Sequence, residues 1–254
     1  MTGRRATVIL PCAGAGTRLG LPFGKELLPL GPGSTPLDET LALLLPHASA
    51  LRLVMVLGDG REATARHVAG RAAAAGLPVA FTSQDPGLAQ CTGAVLSAAP
   101  WFAGRNLVLL PDQVLDRPDP DLVTAALEAL DGAPFCFLAA REDDPERISR
   151  DGALRITGGA PAQLLDYAEH PPPGTASRFN ATWFGFAFRG DAGEALALLH
   201  RAVTGRPLTT GEVAASPLAG CPVIDAGPYR DLGTWPAVRA RWAGAGREEK
   251  ESAP

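Results

Sequence analysis

Lysine is nearly missing. Of 23 basic residues only Lys25 and Lys250 are lysines; the rest are arginines. Lys250 lies in a charged, unpatterned C-terminal stretch, so the folded chain uses arginine everywhere except at 25. A compact ammonium set beside a phosphate is one reason for that exception; a solvated surface lysine at a helix start is the other reading. Cysteine is scarce as well. Cys12, Cys91, Cys136 and Cys221 lie far apart and form no C-x-x-C pair. That excludes a disulfide framework or zinc site and predicts buried thiols in a reducing, cytoplasmic setting. No apolar run is long enough for a membrane span, and the stretch before Pro11 is too short for the core of a signal peptide. The net charge is -4 and no basic block stands outside the termini, which excludes nucleic acid as the expected partner. There is no internal repeat. No heptad or exposed apolar stripe stands out, which leaves a homo-oligomer open.

What is present is ample for a core: 254 residues, 46% of them hydrophobic. Mostly apolar stretches at 8–10, 51–57, 79–82, 106–110 and 135–139 predict strands. Helical spacing follows at 35–45, 61–75, 88–98 and 121–130. Strand and helix alternate, so the expected fold is α/β with a mainly parallel sheet covered on both faces. After residue 140 the pattern changes. Short strands are expected at 151–157 and 163–168, a rigid break at Pro171-Pro172-Pro173-Gly174, and an aromatic-rich strand over Asn180–Phe188. Helices are expected at 192–203 and 231–242. The expected organisation is one domain over 1–243, a nucleotide half (1–140) carrying a second half (141–243), with 244–254 a disordered tail.

Ligands of such sheets sit at the carboxyl ends of the strands. The stretch from Val8 to Leu30, VILPCAGAGTRLGLPFGKELLPL, supplies one such end. A strand running into Ala13-Gly14-Ala15-Gly16-Thr17 presents bare backbone N–H groups that suit phosphate oxygens. Arg18 and Lys25 add full charges beside it. A Walker A loop is excluded because Glu26 follows Lys25 where a hydroxyl is required. A dinucleotide fingerprint is excluded because position 19 is leucine rather than glycine. A second strand end carries Asp112, in NLVLLPDQVLD. A carboxylate beside bound phosphate is unfavourable without a cation between them, so Asp112 is a candidate magnesium ligand, with a turn or helix-cap aspartate as the other reading.

GAGTRLGLPFGKELLPL resembles the signature loop of the sugar-1-phosphate nucleotidyltransferases, G-x-G-T-R followed by P-x-K. The gap between Arg18 and Lys25 is shorter than in the thymidylyl branch, and KELLPL is closer to the uridylyl branch. The resemblance implies a Rossmann-like, three-layer nucleotidyltransferase (GT-A-like) fold with a mainly parallel mixed sheet and a small sugar-side β lobe. It implies Arg18 and Lys25 as catalytic cations, and 13–17 as the nucleotide loop. YRDLGTWP is similar to the family's W-x-D-x-G-T segment, which implies Asp231 as the partner of Asp112 in a magnesium site; Asp225 competes for that role. QDPGLAQ resembles the family's Q-x-x-x-G-L-A-Q, which implies Gln84 and Gly87 at the base. Glu169-His170-Pro171 resembles E-K-P, with histidine where the family has the lysine for the sugar phosphate. Glu169, His170 and Asn180 are thus the implied acceptor contacts. Because neutral imidazole is a weaker phosphate partner, Arg178 or Arg230 is a candidate to take over.

The implied reaction joins a nucleoside triphosphate, UTP or dTTP first, to a sugar 1-phosphate and releases pyrophosphate, with magnesium. The alternatives are a cyclitol, polyol or phosphonate acceptor, for example with CTP, and a nucleotide-binding homologue without catalysis. A glycosyltransferase would need an Asp-x-Asp metal motif after a strand; Asp119-Pro120-Asp121 instead opens a surface helix.

Overall fold

The computed structural model describes residues 5–14, 16, 18–31 and 33–251, the stretch 244–251 by its backbone alone. The strands are β1 (Ala6–Cys12), β2 (Leu51–Leu57), β3 (Val79–Ser83), β4 (Arg105–Leu109), β5 (Gln113–Leu115), β6 (Phe135–Arg141), β7 (Gly152–Ile156), β8 (Ala162–Glu169), β9 (Ala181–Arg189), β10 (Pro222–Asp225) and β11 (Tyr229–Asp231). The helices are α1 (Pro36–Leu44), α2 (Glu62–Ala75), α3 (Gln90–Ser97), α4 (Leu122–Glu128), the single turns α5 (Pro145–Ile148) and α6 (Pro173–Ala176), then α7 (Gly193–Val203), α8 (Thr210–Ala214) and α9 (Trp235–Glu251). Among the described residues, nine strands form one sheet in the order β3-β2-β1-β4-β9-β6-β10-β8-β7.

Strands β3, β2, β1 and β4 run parallel, as the apolar runs predict. Their side chains alternate between two cores. Val8 and Leu10 join one with α1, α2 and α4, while Ile9 joins the other with α3 and α7. The same period-2 split recurs in β4 and β6, so the sheet is covered on both faces. Each helix therefore needs only one apolar stripe. Helix α1 starts where Thr35 Oγ1 accepts from the Asp38 N–H at 3.2 Å and Asp38 returns a bond to the Thr35 N–H.

The second half of the chain is built into this sheet. Strand β9 sits at its centre, antiparallel to both β4 and β6. Every residue from Ala181 to Phe188 is buried. Gly185 makes this close approach feasible, since a Cβ there would lie 2.5 Å from the Val108 carbonyl oxygen. Phe135, Phe137, Phe186 and Phe188 then pack around it, the Phe135 and Phe186 rings stacking at 5.3 Å. Their burial is the main stabilising force here, about 1.5–3 kcal/mol for each fully buried large apolar side chain.

Two expectations are corrected at the C-terminus. Asp231 ends strand β11 rather than opening a helix, and α9 begins at Trp235. That helix also continues through Gly244 to Glu251, where a disordered tail is expected. Ala, Arg, Glu and Lys are strong helix formers, and in 244–251 propensity outweighs the missing apolar pattern. Helix α9 clamps the loop after β1. Trp235 Nε1 donates to the Leu19 carbonyl at 3.1 Å and Trp242 Nε1 to the Pro29 carbonyl at 2.9 Å. Leu19, Leu28 and Leu30 pack there with Val114, Leu232 and Val238. No helix among the described residues is long and apolar enough to cross a membrane.

Candidate functional site

The parallel strands place the ends of β1, β2, β3 and β4 on one edge of the sheet. Because β9 runs opposite to β4, its beginning lies at the same edge. A cavity of about 640 Å³ opens there. Ala13, Gly14, Arg18, Lys25, Gln84, Asp112, Glu169, His170 and Asp231, all singled out in the sequence, line it. Gly16, Gly87 and Asn180 do not. Ala15 and Thr17 lie outside the described residues. Asp225 lines a different cleft and drops out as a competitor of Asp231.

The carboxylates of Asp112 and Asp231 meet through a device too short to show periodicity. Strands β5 and β11 pair antiparallel, with Asp231 opposite Gln113. The next N–H, of Leu232, donates to the Asp112 carbonyl at 2.9 Å. Lys25 starts a single 3₁₀ turn, Lys25–Leu27, and its ammonium is ion-paired with the Asp112 carboxylate. Burial opposes the charge on Lys25, but Asp112 and Asp231 outweigh it and raise its pKa, with Arg18 pulling the other way. Asp231 is also pushed up, first by burial and then by the charge of Asp112; the Gly233 N–H, Lys25 and Arg18 counter this. Arg18 packs so closely over Gly233 that a Cβ there would lie 2.8 Å from its guanidinium nitrogen. Two crowded carboxylates, one with its pKa raised by burial and by its neighbour, form a place that gains by taking a cation. Among the described residues no group of three or more metal-ligating side chains occurs. The pair fits magnesium, which keeps several waters and shares phosphate oxygens.

The other end of the cavity rests on the aromatic core. Phe137 stacks on Tyr167 at 5.9 Å, and Tyr167 Oη donates to Glu169 Oε2 at 2.5 Å. Burial raises the pKa of Glu169, while the Tyr167 hydroxyl and His170 lower it. His170 Nε2 stands 3.6 Å from Glu169 Oε1. Gln90 and His170 have φ of 66° and 45°, the left-handed region that side chains other than glycine rarely adopt. Both line the cavity, and such outliers concentrate at ligand sites.

Several expected contacts are spent elsewhere. Asn180 Oδ1 accepts from the Ile156 N–H at 2.8 Å and its Nδ2 donates to the Ile156 carbonyl at 3.0 Å. It ties the start of β9 to β7 and does not line the cavity. Asn180→Ala should therefore cost about 1–3 kcal/mol of stability. Thermal unfolding should show the loss, while both KM values stay within about twofold of the parent; a selective rise in acceptor KM would return Asn180 to the site. Gly87 closes an Asp85 turn, its N–H donating to Asp85 Oδ1 at 2.8 Å. Gln84 lines the cavity, but its Nε2 donates to the Leu88 and Gln90 carbonyls, so pairing with a base requires that amide to turn. Arg178 lies 3.8 Å from Asp166, and Arg230 donates to Asp116 at 2.6 Å; neither lines the cavity. Arg150 does line it, exposed and 3.7 Å from Glu146.

Other lining residues carried no sequence signal. Asp151 sits in a loop crowded with charges, and Trp183 is hidden inside an apolar strand. Asp151 is pushed up to about 6, by burial first and by Asp231 next. A carboxyl whose folded pKa exceeds its unfolded value binds extra protons when folded, so it costs stability as pH rises through 4 to about 6. Asp151→Asn should thus stabilise the protein above pH 7 by up to about 3 kcal/mol, with the gain fading below pH 6 and gone below 4. Denaturant titrations at pH 4 and 7.5 check this, and an equal gain at both would contradict it.

No protein-family profile matches the chain, and no curated protein matches it. Solved structures do. UDP-glucose pyrophosphorylase complexed with UDP-glucose superposes with a TM-score of 0.70 at 14% identity, over 96% of this chain and 99% of that one. The UTP-bound enzyme from Acinetobacter baumannii gives 0.70 at 16%, over 96% and 94%. The fold is that of the sugar-1-phosphate nucleotidyltransferases. A Bacillus anthracis protein assigned as a glucose-1-phosphate thymidylyltransferase, in complex with a sucrose, shares the same nucleotidyltransferase fold, with a TM-score of 0.71 at 17% identity over 94% and 95%. In this fold the cavity lies where the expected loop, Asp112 and Asp231 converge.

Proposed function

We propose that the protein is a nucleotidyltransferase that joins a nucleoside triphosphate to a phosphorylated acceptor and releases pyrophosphate. The reading rests on one observation. Lys25, Arg18 and the Asp112–Asp231 pair converge at the tip of β1, in a cavity whose far end carries Glu169, His170 and Arg150. UTP or dTTP with a sugar 1-phosphate is the first choice, as the resemblance of the loop implies.

An acceptor phosphate oxygen attacks the α-phosphorus in line. The bond from that phosphorus to the bridging oxygen breaks, and pyrophosphate leaves with the electron pair. No general base is required, because the attacking phosphate is already ionised. Residues 13–17 and Arg18 hold the leaving phosphates. Lys25 exchanges the Asp112 carboxylate for oxygens of the reacting phosphates and carries the charge that builds between them. Asp112 and Asp231 would hold a magnesium ion, which supplies charge neutralisation at the α-phosphate when bound. Gln84 orients the base. Glu169 accepts from acceptor hydroxyls, its geometry fixed by Tyr167.

A second acceptor class has its own support. His170 stands where a lysine is expected, and the half-buried carboxyl of Asp151 lies near it. A cyclitol, polyol or phosphonate acceptor would meet that changed surface. A pyrophosphate-release screen of the common triphosphates against sugar, cyclitol and polyol phosphates and phosphonates decides. Release with one pairing supports the reading, and binding of triphosphate without release from any acceptor contradicts it.

A further inference from the structure

Beneath the phosphate loop lies a largely covered arginine that does not line the cavity. Arg61 follows Gly58-Asp59-Gly60 at the end of β2 and opens α2. Its side chain is only 10% exposed. Nε donates to the Cys12 carbonyl at 3.2 Å, and Nη2 donates to the Gly14 carbonyl. The same guanidinium lies 3.7 Å from Glu26 Oε1. Glu26, 3% exposed, also accepts from Thr64 Oγ1 at 2.7 Å. The Glu26 carboxylate folds back over Gly24, where a Cβ would lie 2.1 Å from Oε1. Gly58 is as tight against the loop, since a Cβ there would lie 2.7 Å from the Ala13 carbonyl oxygen.

We propose that Arg61 is a positioning residue that sets the phosphate loop and the Lys25 turn as one unit, through the Cys12 and Gly14 carbonyls on one side and Glu26 on the other. The inference rests on the reading of this cavity as a triphosphate site. In a trans peptide the C=O and N–H point in opposite directions. Holding the Cys12 carbonyl toward the guanidinium therefore turns the Ala13 N–H away from it. It also withholds two carbonyl oxygens that would repel phosphate. Glu26 neutralises Arg61 and precedes Leu27 in the turn that begins at Lys25, so the cation of the loop and the cation of the reaction share one support. A lysine cannot reproduce this, because a single ammonium does not fork between two carbonyls and a carboxylate.

The test titrates UTP, dTTP, CTP, ATP and GTP with magnesium into the full chain, first unaltered and then as Arg61→Ala and Arg61→Lys. In both variants the Kd of the preferred triphosphate should rise about tenfold or more, the scale of losing one to two charge-assisted hydrogen bonds. Acceptor KM should stay within about twofold, and millimolar guanidinium should restore part of the affinity of Arg61→Ala but none of Arg61→Lys. Should the unaltered protein bind no triphosphate, the function itself is overturned, and this inference with it. If it binds and both variants bind within about twofold of it, Arg61 has no positioning role. A parallel rise in triphosphate and acceptor constants, with no guanidinium rescue, also overturns the inference, since that marks general loss of structure. Arg61→Lys covers the case in which the alanine variant fails to fold.

Discussion

Lys25→Ala should lower turnover by about 10²–10³-fold, the scale of removing one preorganised charge from a developing phosphoryl centre. The structure says why the loss should fall on kcat. Lys25 is mostly buried, its ammonium is held by Asp112, and the carboxylates keep its pKa raised against burial. It is therefore already charged when phosphates arrive, and their oxygens take the place of the Asp112 carboxylate. The fold should survive the change, since the turn around it is fixed by Glu26 over Gly24 and by the apolar cluster of Leu19, Leu28 and Leu30. Steady-state kinetics beside thermal unfolding separates these outcomes. A variant with near-normal kcat would remove Lys25 from the chemistry.

Asp112→Asn should be comparably severe, with a different signature. It removes the carboxylate nearest Lys25 and half of the pair that would hold magnesium. Activity should fall about 100-fold, and the magnesium needed for half-maximal rate should rise about tenfold or more, so that excess metal restores only part of the rate. Asp231→Asn should behave alike, and the double variant should cost far less than the sum of the two, because the carboxylates act as one unit. Magnesium titrations of all three check this. Equal rates at saturating magnesium would reduce Asp112 to an affinity role, and additive losses would separate the two carboxylates.

Much of this site could be read from the chain because its parts are local. A buried strand that runs into small residues, and four apolar residues that deliver Pro111-Asp112, each carry their meaning within a short window. The parallel half of the sheet was legible for the same reason. The placement of β9 was not, since the order of strands within a sheet is no local property and the 180–188 pattern fits a lobe as well as a centre. The joining of Asp231 to Asp112 depends on β5 and β11, three residues each, too short for any period to show. Arg61 was invisible in a chain where almost every basic residue is arginine. The strand junction closed by the Asn180 amide was not legible either, since it joins residues 24 positions apart.

The most direct measurement is a crystal structure with magnesium and an α,β-methylene triphosphate of the preferred base. The account predicts the β- and γ-phosphates on residues 13–18, with Lys25 Nζ moved from Asp112 to within about 3 Å of an α-phosphate oxygen. A nucleotide bound elsewhere, or an ammonium still on Asp112 and out of reach of the phosphates, would contradict it.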